Sequence, residues 1–186
     1  MQEIDGVIRF IGLAGRLKET PRSGWLRKVR VKKPESVADH TFGTSMLCMI
    51  LGDMKGLDTP RMLKMALIHD LCESMTGDLT HYGMSGRQEL QKRRMEEDAM
   101  TKILSLLPKA IKKRYYGLWK EFQDGASLEA RLVRDLDKLD MALQALRYEE
   151  EGYDKNKLSE FWDSVETSIT NPEVRLFLNS VKEQRR

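Results

Sequence analysis

The stretch LIHDLCESMTGD (67–78) sets His69, Asp70 and Glu73 among the apolar Met65, Ala66, Leu67, Ile68, Leu71 and Cys72. A charged group buried there without a counter-ion, a metal or a catalytic task is costly. Read as one continuous helix, positions 69 and 73 share a face, and position 70 lies about 100° round from 69. The trio then converges on one side of the helix, near its carboxyl end. The chain has three histidines, His40, His69 and His81. His40 belongs to the other strongly apolar segment, which has to pack close to the first. Farther on, Val133, Asp137, Asp140 and Gln144 form a stripe beside a leucine seam. Two carboxylates at the border of a core need partners, and Lys138 and Arg134 are one bland answer. Taken together, two imidazoles and two carboxylates suit a divalent ion of intermediate hardness: Mn²⁺, Fe²⁺, Co²⁺, Ni²⁺ or Zn²⁺. Four protein ligands on a six-coordinate ion leave positions for water and substrate, which is the arrangement of a hydrolytic site.

The elements that must position these groups read as helices. Ile4, Val7, Ile8 and Ile11 repeat as one face of a first helix that stops near Pro21. Residues 25–33 read as an extended connector, and their basic run RKVRVKK is a solvated segment on spacing alone. Ser36 caps a second helix that is closed by Gly56 and is apolar on most sides at MLCMIL (46–51), so a deep position is expected. Thr59-Pro60 reads as the cap and first turn of a third helix, which carries the opening stretch and ends around Gly77. Helices at about 86–106, 108–123, 127–151, 156–169 and 172–184 follow. The longest of these has Leu132, Leu136, Leu139, Leu143 and Leu146 in its seam. Val, Ile and Thr nowhere cluster in alternation. The expectation is an all-α fold, a single compact domain over 1–186 with seven or eight helices, its metal-site core at about 25–150.

Composition narrows the function classes. With 40% hydrophobic and 33% charged residues the chain is an ordinary globular one, not a disordered one. A net charge of +3, with no long block of like charge, argues against a nucleic-acid arm. No run of eighteen apolar residues is present, so no membrane span is expected. Glu3 and Asp5 break any signal-peptide layout. Cys48 and Cys72 form no CxxC, and a reducing cytoplasm is the expected compartment.

His40, the doublet His69-Asp70 and Asp137 resemble the H…HD…D signature of the HD-domain metal-dependent phosphohydrolases. The segments PRSGWLRKVRVKKPESVADH (21–40), ALIHDLCESMTGDL (66–79) and LVRDLDKLDMALQALRYE (132–149) are similar to the 5′-deoxynucleotidase branch of that superfamily. The resemblance runs from the first helix to about residue 150. It implies one divalent ion held by His40, His69, Asp70 and Asp137, with Asp137 preferred to Asp140 as the last acid. It implies Glu73 beside the attacking water, Asp78 at the deoxyribose hydroxyl, and Trp25 crowding the 2′ side of the sugar. One departure is plain: bacterial members carry an arginine directly before that tryptophan, where this chain has Gly24. The phosphate-binding arginine is then Arg22 or Arg27.

The implied reaction is hydrolysis of a deoxynucleoside 5′-monophosphate to deoxynucleoside and phosphate, with a small-molecule nucleotide as the partner. Relatives of this branch are often dimers; Phe161, Trp162, Leu176 and Phe177 offer apolar surface for a second copy or, by default, for intrachain packing. The alternatives are another HD-type hydrolase, acting on nucleoside triphosphates or guanosine tetraphosphate, and a metal-stabilised module that binds a nucleotide without turnover. The two-metal phosphodiesterases of the superfamily need extra histidines for a second ion, and here only His81, expected in a loop, is left over, so a one-metal site is favoured.

Overall fold

In a computed structural model, which describes residues 2–79 and 85–185, the chain is helical almost throughout. The described helices are α1 (Gln2–Gly15), α2 (Val37–Lys55), α3 (Thr59–Ile68), α4 (Glu73–Thr76), α5 (Gly86–Leu104), α6 (Lys109–Asp124), α7 (Leu128–Glu150), α8 (Lys155–Ser168) and α9 (Pro172–Glu183). Eight of these nine run seven residues or more. No helix among the described residues is long and apolar enough to cross a membrane.

The long helix α7 is the axis of the molecule, and α2, α3, α6, α8 and α9 all pack on it. Its seam residues Leu132, Leu136, Leu139 and Leu146 are buried, as are Ala142 and Ala145 between them. Such a stripe recurs at three and four residues and so keeps to one side of a helix. The polar stripe beside it, Asp137 and Asp140, therefore arrives at the α2–α7 interface. Ser36 starts α2 with a reciprocal capping box: its hydroxyl accepts from the Asp39 N–H, and the Asp39 carboxylate accepts from Ser36. That box places His40 on the first turn of α2, facing α7.

Several expectations change. The MLCMIL run is not deep on all sides: Cys48 and Leu51 are buried, whereas Met46, Met49 and Ile50 are exposed. The stripe Ile4, Val7, Ile8 and Ile11 faces outward, and α1 packs through Phe10, Leu13 and Ala14 instead. Asp58, not Thr59, caps α3, its carboxylate accepting from the Arg61 N–H; Thr59 lies inside and donates to Asp53. The expected extended connector is wound at Trp25–Val29 into a wide helical turn, which ends at Arg30 with φ 63°. An isolated antiparallel bridge between Pro21 and Ser36 closes the base of this loop: Arg22 N–H donates to Glu35 and Val37 N–H to Thr20. The bridge fixes Arg22 and Glu35 side by side.

Phe161 and Trp162 are buried within the chain, packing α8 onto the rest; Leu176 and Phe177 on α9 are exposed. His81 lies outside the described residues.

Candidate metal centre

His40 is fully buried. Its Nε2 lies 2.9 Å from Asp137 Oδ1 and 3.4 Å from His69 Nε2. Its Nδ1 lies 2.7 Å from Asp140 Oδ2. A carboxylate only accepts, so Nδ1 carries a proton and Nε2 is the nitrogen directed to the centre. Burial and the Arg22 charge favour the neutral ring, yet the bonds to Asp137 and Asp140 outweigh them and raise the His40 pKa to about 9. The second imidazole is oriented by the backbone: His69 Nδ1 is 2.6 Å from the Ala66 carbonyl, which fixes that proton and turns Nε2 inward. Phe122 meets the ring edge-on at 5.3 Å. Donor atoms of His40, His69 and Asp137 lie within 4.8 Å of one another.

Asp70 borders this trio, with Oδ2 3.1 Å from His69 Nε2 and 3.9 Å from His40 Nε2. The same oxygen accepts from Arg22 Nη1 at 3.4 Å. Burial opposes ionisation of both acids. Asp70 is nonetheless held well below the usual carboxylate range by His69, His40 and Arg22. Asp137 is held there by Lys138, whose Nζ is 2.8 Å away, and by His40. The lysine named as a bland neutraliser is thus present, but on one oxygen only; the other faces His40. Two imidazoles and two ionised carboxylates are donors a divalent ion of intermediate hardness accepts.

Asp140 approaches His40 only because position 43 has no side chain. A Cβ on Gly43 would stand 2.0 Å from Asp140 Oδ1 and 2.9 Å from its Cγ. Glycine inside a helix is unfavourable by roughly 0.5–1 kcal/mol against alanine, so the close approach is the physical reason for it here.

The segment after α3 departs from the sequence expectation. The helix ends at Ile68, and His69–Cys72 form tight turns in which Leu71 N–H donates to Ile68 and Glu73 N–H to Asp70. In a continuous helix the His69 carbonyl would accept from residue 73; here it accepts from Trp119 Nε1 at 3.2 Å. His69 and Glu73 therefore do not share one helix face. Instead Glu73 opens α4 as a separate group. It is buried, and its Oε2 has no hydrogen-bond partner among the described residues. Burial raises its pKa well above the ordinary value, and Asp70 and Asp78 add to the effect.

These groups open on a cavity of about 680 Å³. His69, Asp70 and Asp137 line it with Glu73, Asp78, Arg22 and Trp25, and Lys92 and Glu96 of α5 form part of the wall. Trp25 is 1% exposed, stacks on Phe161 at 4.0 Å and donates from Nε1 to Glu35 at 2.8 Å. Asp78 follows Gly77, whose φ of 71° turns the chain out of α4; its Oδ2 accepts the Ser23 N–H at 2.6 Å. That bond ties the loop carrying Arg22 and Trp25 to the acidic segment. Of the two arginines expected near phosphate, Arg22 lines the cavity. Arg27 is exposed and does not.

Sequence reasoning passed over Glu35, Gly43, Lys92 and Glu96. A glycine inside an apolar helix was the available signal for Gly43, and an i,i+4 charge pair for Lys92 and Glu96. Glu35 had no such signal, since a loop bridge brings it in.

A family model described as HD domain matches residues 14–175. The chain belongs to the HD-domain family. The HD domain here is 39% identical over 182 residues to a 5′-deoxynucleotidase HDDC2 of Danio rerio, covering 98% of this chain and 89% of that one. It is 35% identical over 179 residues to the human protein of the same name, covering 96% and 86%. Among solved structures, a conserved hypothetical protein of Pyrococcus furiosus superposes with a TM-score of 0.78 at 36% identity, covering 95% of this chain and 99% of that one.

Proposed function

We propose that this HD domain is a metal-dependent 5′-deoxynucleotidase, hydrolysing deoxynucleoside 5′-monophosphates to deoxynucleoside and inorganic phosphate. The observation that carries the reading is the convergence of His40, His69 and Asp137, with Asp70 at their edge, on a cavity where Glu73 has a buried oxygen with no hydrogen-bond partner among the described residues. The curated relatives bearing that activity in their names support the substrate class. The core running from Leu17 to Val181 supports the whole chain as one domain.

His40, His69, Asp70 and Asp137 are the residues to hold the ion. A divalent ion so held supplies charge neutralisation at the phosphoryl group and lowers the pKa of a nearby water. Glu73 takes the proton from the attacking water. Its buried Oε2, without a hydrogen-bond partner among the described residues, is available to a water. Arg22 donates to the phosphate oxygens with its planar fork. The carboxylates around it raise its pKa despite burial, so it is charged at every working pH. Asp78 accepts from the sugar hydroxyl, and Trp25, immobilised by Phe161 and Glu35, is the wall against a 2′ hydroxyl. At about 680 Å³ the cavity has the size of sites for small ligands. The rival of a metal-stabilised binder leaves the buried Glu73 oxygen without a purpose.

The test is phosphate release from a panel of deoxy- and ribonucleoside monophosphates, triphosphates and guanosine tetraphosphate, on protein reconstituted separately with Mn²⁺, Co²⁺, Fe²⁺, Ni²⁺ and Zn²⁺. Selective release from deoxynucleoside monophosphates is expected. Turnover confined to the triphosphates or the tetraphosphate, or none with any ion, would reject the reading.

A further inference from the structure

Helix α5 breaks the rule that apolar residues face inward. Its carboxyl half obeys: Ala99, Met100, Ile103 and Leu104 are buried. Continued toward the amino end at helical spacing, that inward stripe reaches Glu96 and Lys92. Lys92 is 5% exposed, although it is a long cation on a strongly charged helix. Leu90 and Met95, apolar residues of the same turns, are exposed instead. An inward lysine with apolar neighbours turned outward runs against the usual burial order, because removing its charge from water is unfavourable. Exchanges of this kind concentrate where a binding site needs the charge.

Both side chains line the cavity that holds Glu73, Asp70 and Arg22. α5 packs on α4, which carries Glu73, and Lys92 is close enough for its charge to act on the Glu73 carboxyl. Lys92 Nζ is 3.4 Å from Glu96 Oε1, one turn farther along. A dianionic phosphate entering this cavity meets Asp70, Glu73, Asp78 and Asp137, all repulsive. Arg22 offsets them from the 19–36 loop; of the other cations in the lining, Arg93, Arg131 and Arg134 are exposed and Lys138 is paired with Asp137, whereas Lys92 is buried on α5.

Resting on the 5′-nucleotidase reading of this cavity, we infer that Lys92 is a second phosphate-binding residue, contacting the substrate phosphoryl group from α5, with Glu96 holding its ammonium in place. Arg22 and Lys92 then approach the phosphate from two elements, the 19–36 loop and α5.

The experiment measures inorganic phosphate binding to the Mn²⁺-loaded protein by calorimetry, beside kcat and KM for a deoxynucleoside monophosphate, in wild type, Lys92→Met, Lys92→Gln and Lys92→Arg. With Mn²⁺ affinity and melting temperature unchanged, Lys92→Met and Lys92→Gln are expected to weaken phosphate binding and raise KM by about ten- to a hundredfold, the scale of one charge-assisted hydrogen bond. Lys92→Arg should recover most of both. Phosphate affinity within twofold of wild type in Lys92→Met overturns the proposal. Loss of the fold in both neutral variants overturns it too, assigning the lysine to packing. If phosphate binding falls as expected while no nucleoside monophosphate is hydrolysed, the substrate reading fails and the lysine's role stands.

Discussion

At the level of single side chains, the centre depends on residues that touch no substrate. Asp140 reaches His40 Nδ1 at 2.7 Å through the space that Gly43 leaves. Partners that orient a metal-binding histidine typically cost 10- to 100-fold in metal affinity when removed. Asp140→Asn is therefore expected to weaken Mn²⁺ binding by about one to two orders of magnitude. Gly43→Ala should do the same, because the added methyl displaces the carboxylate. A metal titration of the folded variants checks both, and unchanged affinity in Gly43→Ala would separate the glycine from the centre. Glu73 belongs to a different category. Glu73→Gln is expected to lower turnover by about 10² to 10⁴ while the ion is still bound, since the amide keeps the shape and loses the base. Atomic absorption on the purified variant, run beside its rate, distinguishes loss of the proton acceptor from loss of the metal.

Among the elements, α7 does the organising, and the last two helices are fastened to it by polar clamps. Glu149 on α7 accepts from Trp162 Nε1 at 2.8 Å and from Arg185 at 2.9 and 3.1 Å; Arg185 also lies over the Trp162 ring at 4.5 Å. Asp135 accepts from the backbone N–H groups of Thr170 and Asn171 at the start of α9. Glu149→Ala leaves the buried indole N–H unpaired and frees Arg185. The expected loss is about 2 kcal/mol, discounted because the arginine is partly exposed. Urea unfolding measures it, with catalytic constants per folded molecule unchanged. The cysteines also belong to the packing of α2 and the turn after α3. Both are buried, and burial lifts the Cys48 thiol to about 12. Neither should react with iodoacetamide at pH 8 until denaturant is added.

For the molecule as a whole, metal and fold are linked. The ligands come from α2, the turn after α3, and α7, so an ion that binds only when these meet stabilises the folded state. At 100 times its dissociation constant that amounts to about 2.7 kcal/mol, and for a chain of this size a rise of roughly 5–10 °C in melting temperature is expected. Calorimetric scans with and without Mn²⁺ measure the rise. The rise should vanish in Asp137→Ala, and its persistence there would point to a different site.

Much of this was written in the chain itself. A 3.6-residue period, Ser36 with Asp39 three places on, and Gly56 and Gly125 closing their helices specify helices by local contacts alone, which any reader of sequence can recover. The residue types for a metal centre were legible for the same reason: histidines and acids among apolar neighbours are costly unless something binds them. What tertiary structure decided depends on contacts far apart in sequence. The Trp119 indole takes the His69 carbonyl and so allows the helix to break and Glu73 to stand apart. The loop bridge at Pro21 and Ser36 selects Arg22 over Arg27 for the cavity. The packing of α2 on α7 makes Gly43 and Asp140 meet. Period and capping act over a few residues and are encoded there, whereas which partner satisfies a buried polar group is set by the neighbours that folding brings near.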